Sequence, residues 1–295
     1  MAIDQSYKQS YKRSDELSSA EVQRGNSEWW TQNPMAYDWT GKIKLPRFSP
    51  EWYAAIDAEF LHASRLFATS SQPFDRIIPL SELRGARVLE IGCGMGLHTQ
   101  TMAAAGAEVT AVDLTSTAIE ATSRRLALTG LQAQVLQCDA ENLPFETGVF
   151  DFVWSWGVIH HSSRTARIVR EIARVLNRTG KCRVMVYNRE GMPARICFLR
   201  DYILKGGFVR QSFEETLYRS CDGFSARFYV REQIEDVFRA FFNDVSSEVC
   251  GQESDAIPLP SPLRRWALAI VPERYLRKAQ ARRGAFIFIS ASGPA

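Results

Sequence analysis

Short apolar segments alternate with helical ones through the middle of this chain, and that alternation restricts the fold more than any other feature. Arg87-Val-Leu-Glu-Ile91 reads as a buried strand, and residues 97–105 as a helix stopped by Gly106. A second strand is expected at 108–112. The helix after it starts near Thr117, where Thr117 and Glu120 fit a capping box, and ends at Gly130. Further strands are expected at 134–137, 150–154 and 182–187. Before the last of these, a helix sets Ile168, Ile172, Val175 and Leu176 on one face. Strand and helix repeated in this way predict an α/β fold, a parallel sheet with helices on both faces.

The flanks differ in texture. Residues 1–27 are polar and aperiodic, so they read as a flexible arm, and no apolar leader segment is visible. Trp29, Trp30, Tyr37, Trp39, Trp52 and Tyr53 then crowd a short stretch, which predicts a helical or lid segment over 28–80 packed on a core at 81–190. Past Asn188 the alternation breaks. Residues 191–230 read as an insertion over the sheet edge. Residues 231–295 return to the sheet, with a helix at 231–241 and strands at 245–250 and 285–291.

Composition narrows the function classes. A net charge of +3 on 295 residues is too small for a general nucleic-acid binder, and no apolar run approaches the roughly 18 residues of a membrane span. The six cysteines form no Cys-x-x-Cys pair, which suits buried thiols in a reducing cytoplasm. His62, His98, His160 and His161 lack a ligand spacing, so no metal is expected. Between 262 and 283, seven arginines and lysines face Glu273 alone, interleaved with Leu263, Trp266, Leu268, Ile270 and Val271 and interrupted by Pro272. This stretch reads as a solvated helix face, with contact to an anionic acceptor or a membrane surface as the alternative.

The loop after the first strand carries Glu90, Gly92, Cys93, Gly94 and Gly96. Glycines there let backbone approach a ligand closely, at the strand ends where open α/β sheets bind their ligands. The dinucleotide fingerprint requires a third glycine where this chain has Leu97, which argues against a nicotinamide dehydrogenase. The second strand ends at Asp113, whose carboxylate can accept two ribose hydroxyls. The third ends at Asp139 and Ala140, an acceptor for an adenine amino group.

Val88-Leu-Glu-Ile-Gly-Cys-Gly-Met-Gly96, Val112-Asp-Leu114, Gln137-Cys-Asp-Ala-Glu-Asn-Leu-Pro-Phe145 and Phe150-Asp-Phe-Val153 resemble the successive motifs of class I S-adenosylmethionine-dependent methyltransferases, in the small-molecule branch called type 11. Ser155-Trp-Gly-Val-Ile-His-His161 and Arg174-Val-Leu-Asn-Arg-Thr-Gly-Lys181 continue the likeness. The resemblance spans about residues 85–190. Tyr187-Asn-Arg189 and the segment from Asp222 to Glu232 are similar to a bacterial subgroup. The resemblance implies a Rossmann-like, seven-stranded sheet of order 3-2-1-4-5-7-6 with the last strand antiparallel. It also implies S-adenosylmethionine as cofactor, held by Glu90, Gly92, Cys93, Gly94, Gly96, Asp113, Leu114, Asp139, Ala140 and Trp156, with no metal. The paired carboxylates of Mg-dependent catechol enzymes are missing from the fourth-strand motif, as is the Asn/Asp-Pro-Pro-Tyr signature of enzymes acting on amino groups of nucleobases or glutamine.

Methyl transfer needs alignment above all, and a base for an oxygen or nitrogen acceptor. His160 and His161 follow the fourth strand, and Tyr187 ends the fifth, so these three are the catalytic candidates. Tyr37, Trp30, Asp222 and Arg227 are candidates for holding the acceptor. The expected activity is transfer of a methyl group to an O or N atom of a small molecule, a natural product or a glycan or lipid intermediate. A C-methyltransferase acting on a quinone or prenyl-type acceptor, and a cofactor-binding partner without catalysis, are the alternatives. No nucleic acid or stable membrane insertion is expected, and the chain is read as a monomer or dimer.

Overall fold

The computed structural model describes residues 17–295 other than 39, 40, 42, 70 and 71, and not the side chains of 261 and 262. Residues 1–16 of the expected arm and Trp39 therefore lie outside the described residues. The centre of the sheet is β1 (Arg87–Ile91), whose Val88, Leu89 and Ile91 are buried among apolar neighbours. It pairs in parallel with β2 (Glu108–Asp113) and β4 (Phe150–Trp156), and β2 pairs in parallel with β3 (Gln134–Gln137). Beyond β4 come β5 (Leu176–Asn188), β8 (Phe286–Pro294) and β7 (Phe242–Cys250), with β8 antiparallel to both neighbours. The order β3-β2-β1-β4-β5-β8-β7 is the expected one, with one correction: the sheet has eight strands. The extra strand, β6 (Phe228–Tyr229), pairs in parallel with Tyr187 and Asn188 of β5. Its two residues are too few to show any periodicity.

Helices cover both faces. On one, α5 (Thr165–Val175) and α8 (Arg231–Arg239) bury Ile168, Ile172, Ile234 and Phe238 against the sheet. On the other, Phe60 of α2 (Pro50–Ala63) and Met102 of α3 (Leu97–Ala104) pack with Phe67, Phe74 and Trp154. Between β2 and β3 lies α4 (Ser116–Thr129). Its cap is Thr115 rather than Thr117, the Thr115 hydroxyl accepting from Ala118 N at 3.3 Å. That hydroxyl donates in turn to Asp113, so the carboxylate at the strand end fixes where the helix begins.

Part of the expected arm is helical. Residues Ser19–Gln32 form α1, capped by a reciprocal box between Ser18 and Glu21. Val22, Gly25, Asn26 and Trp29 recur at helical spacing and are buried. Across 191–230, α6 (Met192–Cys197) runs into a π-helical segment (Phe198–Leu204), and α7 (Phe213–Ser220) follows. Between β7 and β8 lie α9 (Glu253–Ala256), α10 (Ser261–Ile270) and α11 (Glu273–Arg283), the last two separated at Pro272 as its ring requires. Tyr187 faces Phe286 across β5 and β8, and Cys250 faces Phe286 across β7 and β8. Both insertions therefore leave the sheet at the end where the loops after β1, β2 and β4 also lie. Among the described residues no helix is long and apolar enough to cross a membrane.

Candidate active site

The three glycines after β1 do different things. Gly92 has φ +83°, and a Cβ there would lie 2.0 Å from Val158 Cγ2, so its lack of a side chain lets β1 and the loop after β4 meet. Gly96, at φ +80°, caps α3, and a Cβ would press on the Thr122 backbone at 3.0 Å. Gly94, at φ +52°, has nothing within 4 Å of where a Cβ would stand. It opens onto a cleft of about 1210 Å³ bounded also by Asp113, Asp139, Trp156 and His161. Small-molecule pockets usually measure roughly 300–1,000 Å³, so this one has room for two ligands together.

Each strand end supplies a polar group to that cleft. The Gly94 N–H donates to Asp113 Oδ2 at 3.2 Å, while Thr115 N and Oγ1 both donate to Oδ1 at 2.9 Å. Burial pushes the Asp113 carboxyl up, and these donors oppose it. A carboxylate offers about four acceptor sites, and these three donors leave one, on Oδ2, for a ribose hydroxyl. Asp139 Oδ1 accepts from Gln23 Nε2 at 2.8 Å and Glu141 N at 2.9 Å, which ties α1 to the end of β3. Among the described residues, Oδ2 of Asp139 has no hydrogen-bond partner and is available to an amino group. Cys93, Leu114 and Ala140 also line the cleft.

Two expected cofactor residues do not line it. Gly96 is spent on packing against α4. Glu90 is 1% exposed beneath the loop, where its carboxylate accepts from the Thr99 hydroxyl. Burial lifts the Glu90 carboxyl to about 8. Beside it His98, which the sequence reading passed over, does reach the cleft. His98 Nδ1 accepts from Trp154 Nε1 at 3.3 Å, so the ring proton sits on Nε2, which has no partner among the described residues. Burial first, then Arg125, pushes this ring down to about 3, and it is neutral at physiological pH.

The acceptor side centres on His161. Its Nδ1 lies 2.5 Å from the Ser225 carbonyl oxygen. That oxygen can only accept, so Nδ1 carries the proton and Nε2 is the basic nitrogen of the ring. Asn26 Nδ2 holds the His161 carbonyl at 2.8 Å, and the Trp30 ring meets the imidazole edge-on at 5.2 Å. Gly223, at φ +93°, lets the 221–226 segment close on the ring, since a Cβ there would lie 2.7 Å from His161 Nδ1. Helix α1 and this segment thus clasp the imidazole between them. Neither contact was visible in the sequence, because the partners are more than sixty residues away in both directions.

His160 lies apart from the cleft. It is fully buried, does not line the cleft, and lies against Tyr187 with ring centroids 4.0 Å apart and the rings tilted by 35°. Burial, then His161, holds it well below the usual histidine range, so the ring is neutral. Tyr187 lines the cleft, but burial, with Cys221, Asp222 and Tyr37 adding, raises its hydroxyl well above the usual value and keeps it protonated. Tyr37 stacks on Phe60 at 3.9 Å, and burial raises its hydroxyl likewise. Trp156 packs among Phe60, Phe67, Phe286 and Phe288. Trp30 and Asp222 line the cleft, whereas Arg227 does not: it is exposed, and its backbone N–H donates to the His160 carbonyl at 2.8 Å. Among the described residues no group of three or more His, Cys, Asp or Glu is placed to hold a metal ion.

Known proteins resemble this chain in sequence and in fold. The profile of the methyltransferase domain family matches residues 89–184. An uncharacterised Mycobacterium tuberculosis protein is 37% identical over 113 residues, 38% of this chain and 41% of that protein. A ubiquinone biosynthesis O-methyltransferase of Xanthomonas oryzae pv. oryzae is 34% identical over 125 residues, 42% of this chain and 52% of the enzyme. The chain thus spans about half the length of the curated relatives it matches. In fold it is similar to Haemonchus contortus phosphoethanolamine N-methyltransferase 2 in complex with S-adenosyl-L-methionine, with a TM-score of 0.53 and 18% identity over 85% of this chain and 61% of that one. The glycine loop, the acidic strand ends, the sheet order and the profile match agree, and the chain carries a class I S-adenosylmethionine-dependent methyltransferase domain at residues 89–184.

Proposed function

We propose that the chain transfers the methyl group of S-adenosylmethionine to an oxygen or nitrogen of a small-molecule acceptor, with His161 as general base. The observation that carries this reading is the fixed tautomer of His161 in the wall of a cleft that also reaches Gly94, Asp113 and Asp139. The residues present fit the cofactor: Gly94 leaves space for it, Asp113 Oδ2 would take a ribose hydroxyl, and Asp139 Oδ2 an adenine amino group. The cofactor supplies a methyl group already activated by a sulfonium, which in-line displacement delivers to the acceptor. His161 Nε2 takes the proton that an acceptor hydroxyl or amine gives up, while the Ser225 carbonyl holds the opposite nitrogen and stabilises the cationic ring. The aromatic walls contributed by Tyr37, Trp156, Tyr187 and Phe286 exclude water and favour a planar or apolar acceptor. The O-methyltransferase title of the Xanthomonas relative supports oxygen as the accepting atom.

A second reading is favoured by the same apolar walls: methyl transfer to a carbon of a quinone or prenyl-type acceptor. Incubation with methyl-labelled S-adenosylmethionine and a panel of phenols, amines and prenylated quinols separates the two, because NMR of the product identifies the methylated atom. O- or N-methyl products that disappear in His161→Ala support the first reading. Carbon-methylated products formed by the variant at wild-type rate overturn it. No labelled product from any acceptor class favours a cofactor-binding partner without catalysis.

A further inference from the structure

The basic stretch between β7 and β8 exposes apolar side chains as well as its charges. Helix α10 turns Leu268 inward onto Leu66, Ala256 and Leu276, and its Ala267 is buried. Its outer side carries Leu263, Trp266 and Ile270, which are 57%, 67% and 60% exposed. These three sit at i, i+3 and i+7, one stripe within about a sixth of the helix circumference. Large apolar side chains gathered in this way on a solvent face are costly unless something covers them. Nearby, Arg265, Arg274, Lys278 and Arg282 are exposed and form no ion pair among the described residues.

We propose that α10 and α11 dock the protein reversibly on an anionic lipid bilayer. An apolar stripe alone would fit any apolar partner, but the same two helices also expose the unpaired cations Arg265, Arg274, Lys278 and Arg282. Tryptophan and leucine that enter the headgroup–acyl boundary, beside arginine and lysine that meet anionic headgroups, are the two signals that interfacial helices combine. The helices are too short to span a bilayer, so the attachment is to its surface. The register of Cys250 with Phe286 and of Phe286 with Tyr187 places the origin of this insertion at the cleft end of the sheet. Docking there sets the active-site end, rather than the far end, towards the lipid.

Flotation of the full-length protein with vesicles tests this. The protein is expected to float with vesicles of equal parts phosphatidylcholine and phosphatidylglycerol, to remain behind with phosphatidylcholine alone, and to be released by about 0.5 M NaCl, where the Debye length falls to about 4 Å. Replacing Leu263, Trp266 and Ile270 together by serine should reduce the bound fraction more than about ten-fold with S-adenosylmethionine affinity unchanged. Arg265→Gln, Lys278→Gln and Arg282→Gln, made separately, leave the apolar stripe intact and should each weaken binding by about five-fold. No flotation of the wild type, or flotation of both variant sets like wild type, overturns the proposal. A concentration-dependent dimer in sedimentation that the serine variant abolishes, without vesicle binding, assigns the stripe to a second copy of this chain and overturns it as well.

Discussion

His161 Nδ1 lies 2.5 Å from the carbonyl oxygen of Ser225, a contact between the loop after β4 and a segment sixty-four residues further along the chain. It decides which nitrogen of the ring is basic. His161→Ala should lower kcat by roughly 10²–10⁴-fold while cofactor affinity is retained. Steady-state kinetics with the identified acceptor, together with calorimetry, check both halves; wild-type turnover in the variant removes the base.

The same contact predicts an effect of a residue that touches no substrate. A Cβ at Gly223 would lie 2.7 Å from His161 Nδ1 and 3.2 Å from Trp30 Cζ2, at a φ of +93°. Gly223→Ala should therefore displace the imidazole and lower kcat by about 10²-fold, the usual cost of a small misplacement, with cofactor affinity little changed. A matching loss of cofactor affinity would show that the segment supports the whole cleft rather than the base.

The glycine loop makes a prediction of opposite kinds at neighbouring positions. Gly92→Ala places a methyl 2.0 Å from Val158 Cγ2 and should cost about 1–3 kcal/mol of stability or more, read as a fall in Tm. Gly94→Ala meets no atom within 4 Å and should cost only about 1 kcal/mol from its left-handed φ, yet weaken cofactor binding strongly. Thermal denaturation and calorimetry on both variants distinguish the roles.

Glu90 sets a dependence of stability on pH. Burial raises its carboxyl to about 8, the Thr99 hydrogen bond opposing and Asp113 adding to the rise, against an ordinary value of 4.5. Between those values the folded protein holds a proton that the unfolded chain has released, so stability falls as pH rises. The penalty is absent below about 4.5 and complete above about 8. Glu90→Gln cannot ionise, so its Tm should gain on wild type from pH 6 to pH 9, by about 2–4 °C for each kcal/mol relieved. His98, held at about 3 against an ordinary 6.5, makes stability rise with pH up to about 6.5, but it does so in both proteins and cancels from the Tm difference. A constant Tm difference across that range would show that Glu90 is ionised in the folded protein at pH 6.

The parts of the fold legible in the sequence are those whose signal is local. Val88 to Ile91 and Val135 to Leu136 announce strands by their own apolar content, and Asp113 and Asp139 announce strand ends by position. Helix α1 was missed although its cues were present, a Ser18–Glu21 capping box and a buried face spaced as Val22, Gly25, Asn26 and Trp29. Their weight was masked by the polar residues between them, and by a buried face that includes Gly25 and Asn26. His160 and His161 could not be told apart, since their different burial arises from Tyr187, Ser225 and Asn26 on three other segments. The exposed stripe on α10 was invisible for a related reason: its spacing is that of a core-facing helix, and only packing shows which side meets the core.

The account rests on the Asp113 carboxylate, beside Gly94, forming one cofactor site. Calorimetric titration of S-adenosylmethionine into wild type and Asp113→Ala tests it most directly. One-to-one binding to the wild type, weakened at least about a hundred-fold in the variant by loss of charge-assisted hydrogen bonds, is the predicted result. Equal affinity in a variant that remains folded, or no binding to the wild type, would contradict it.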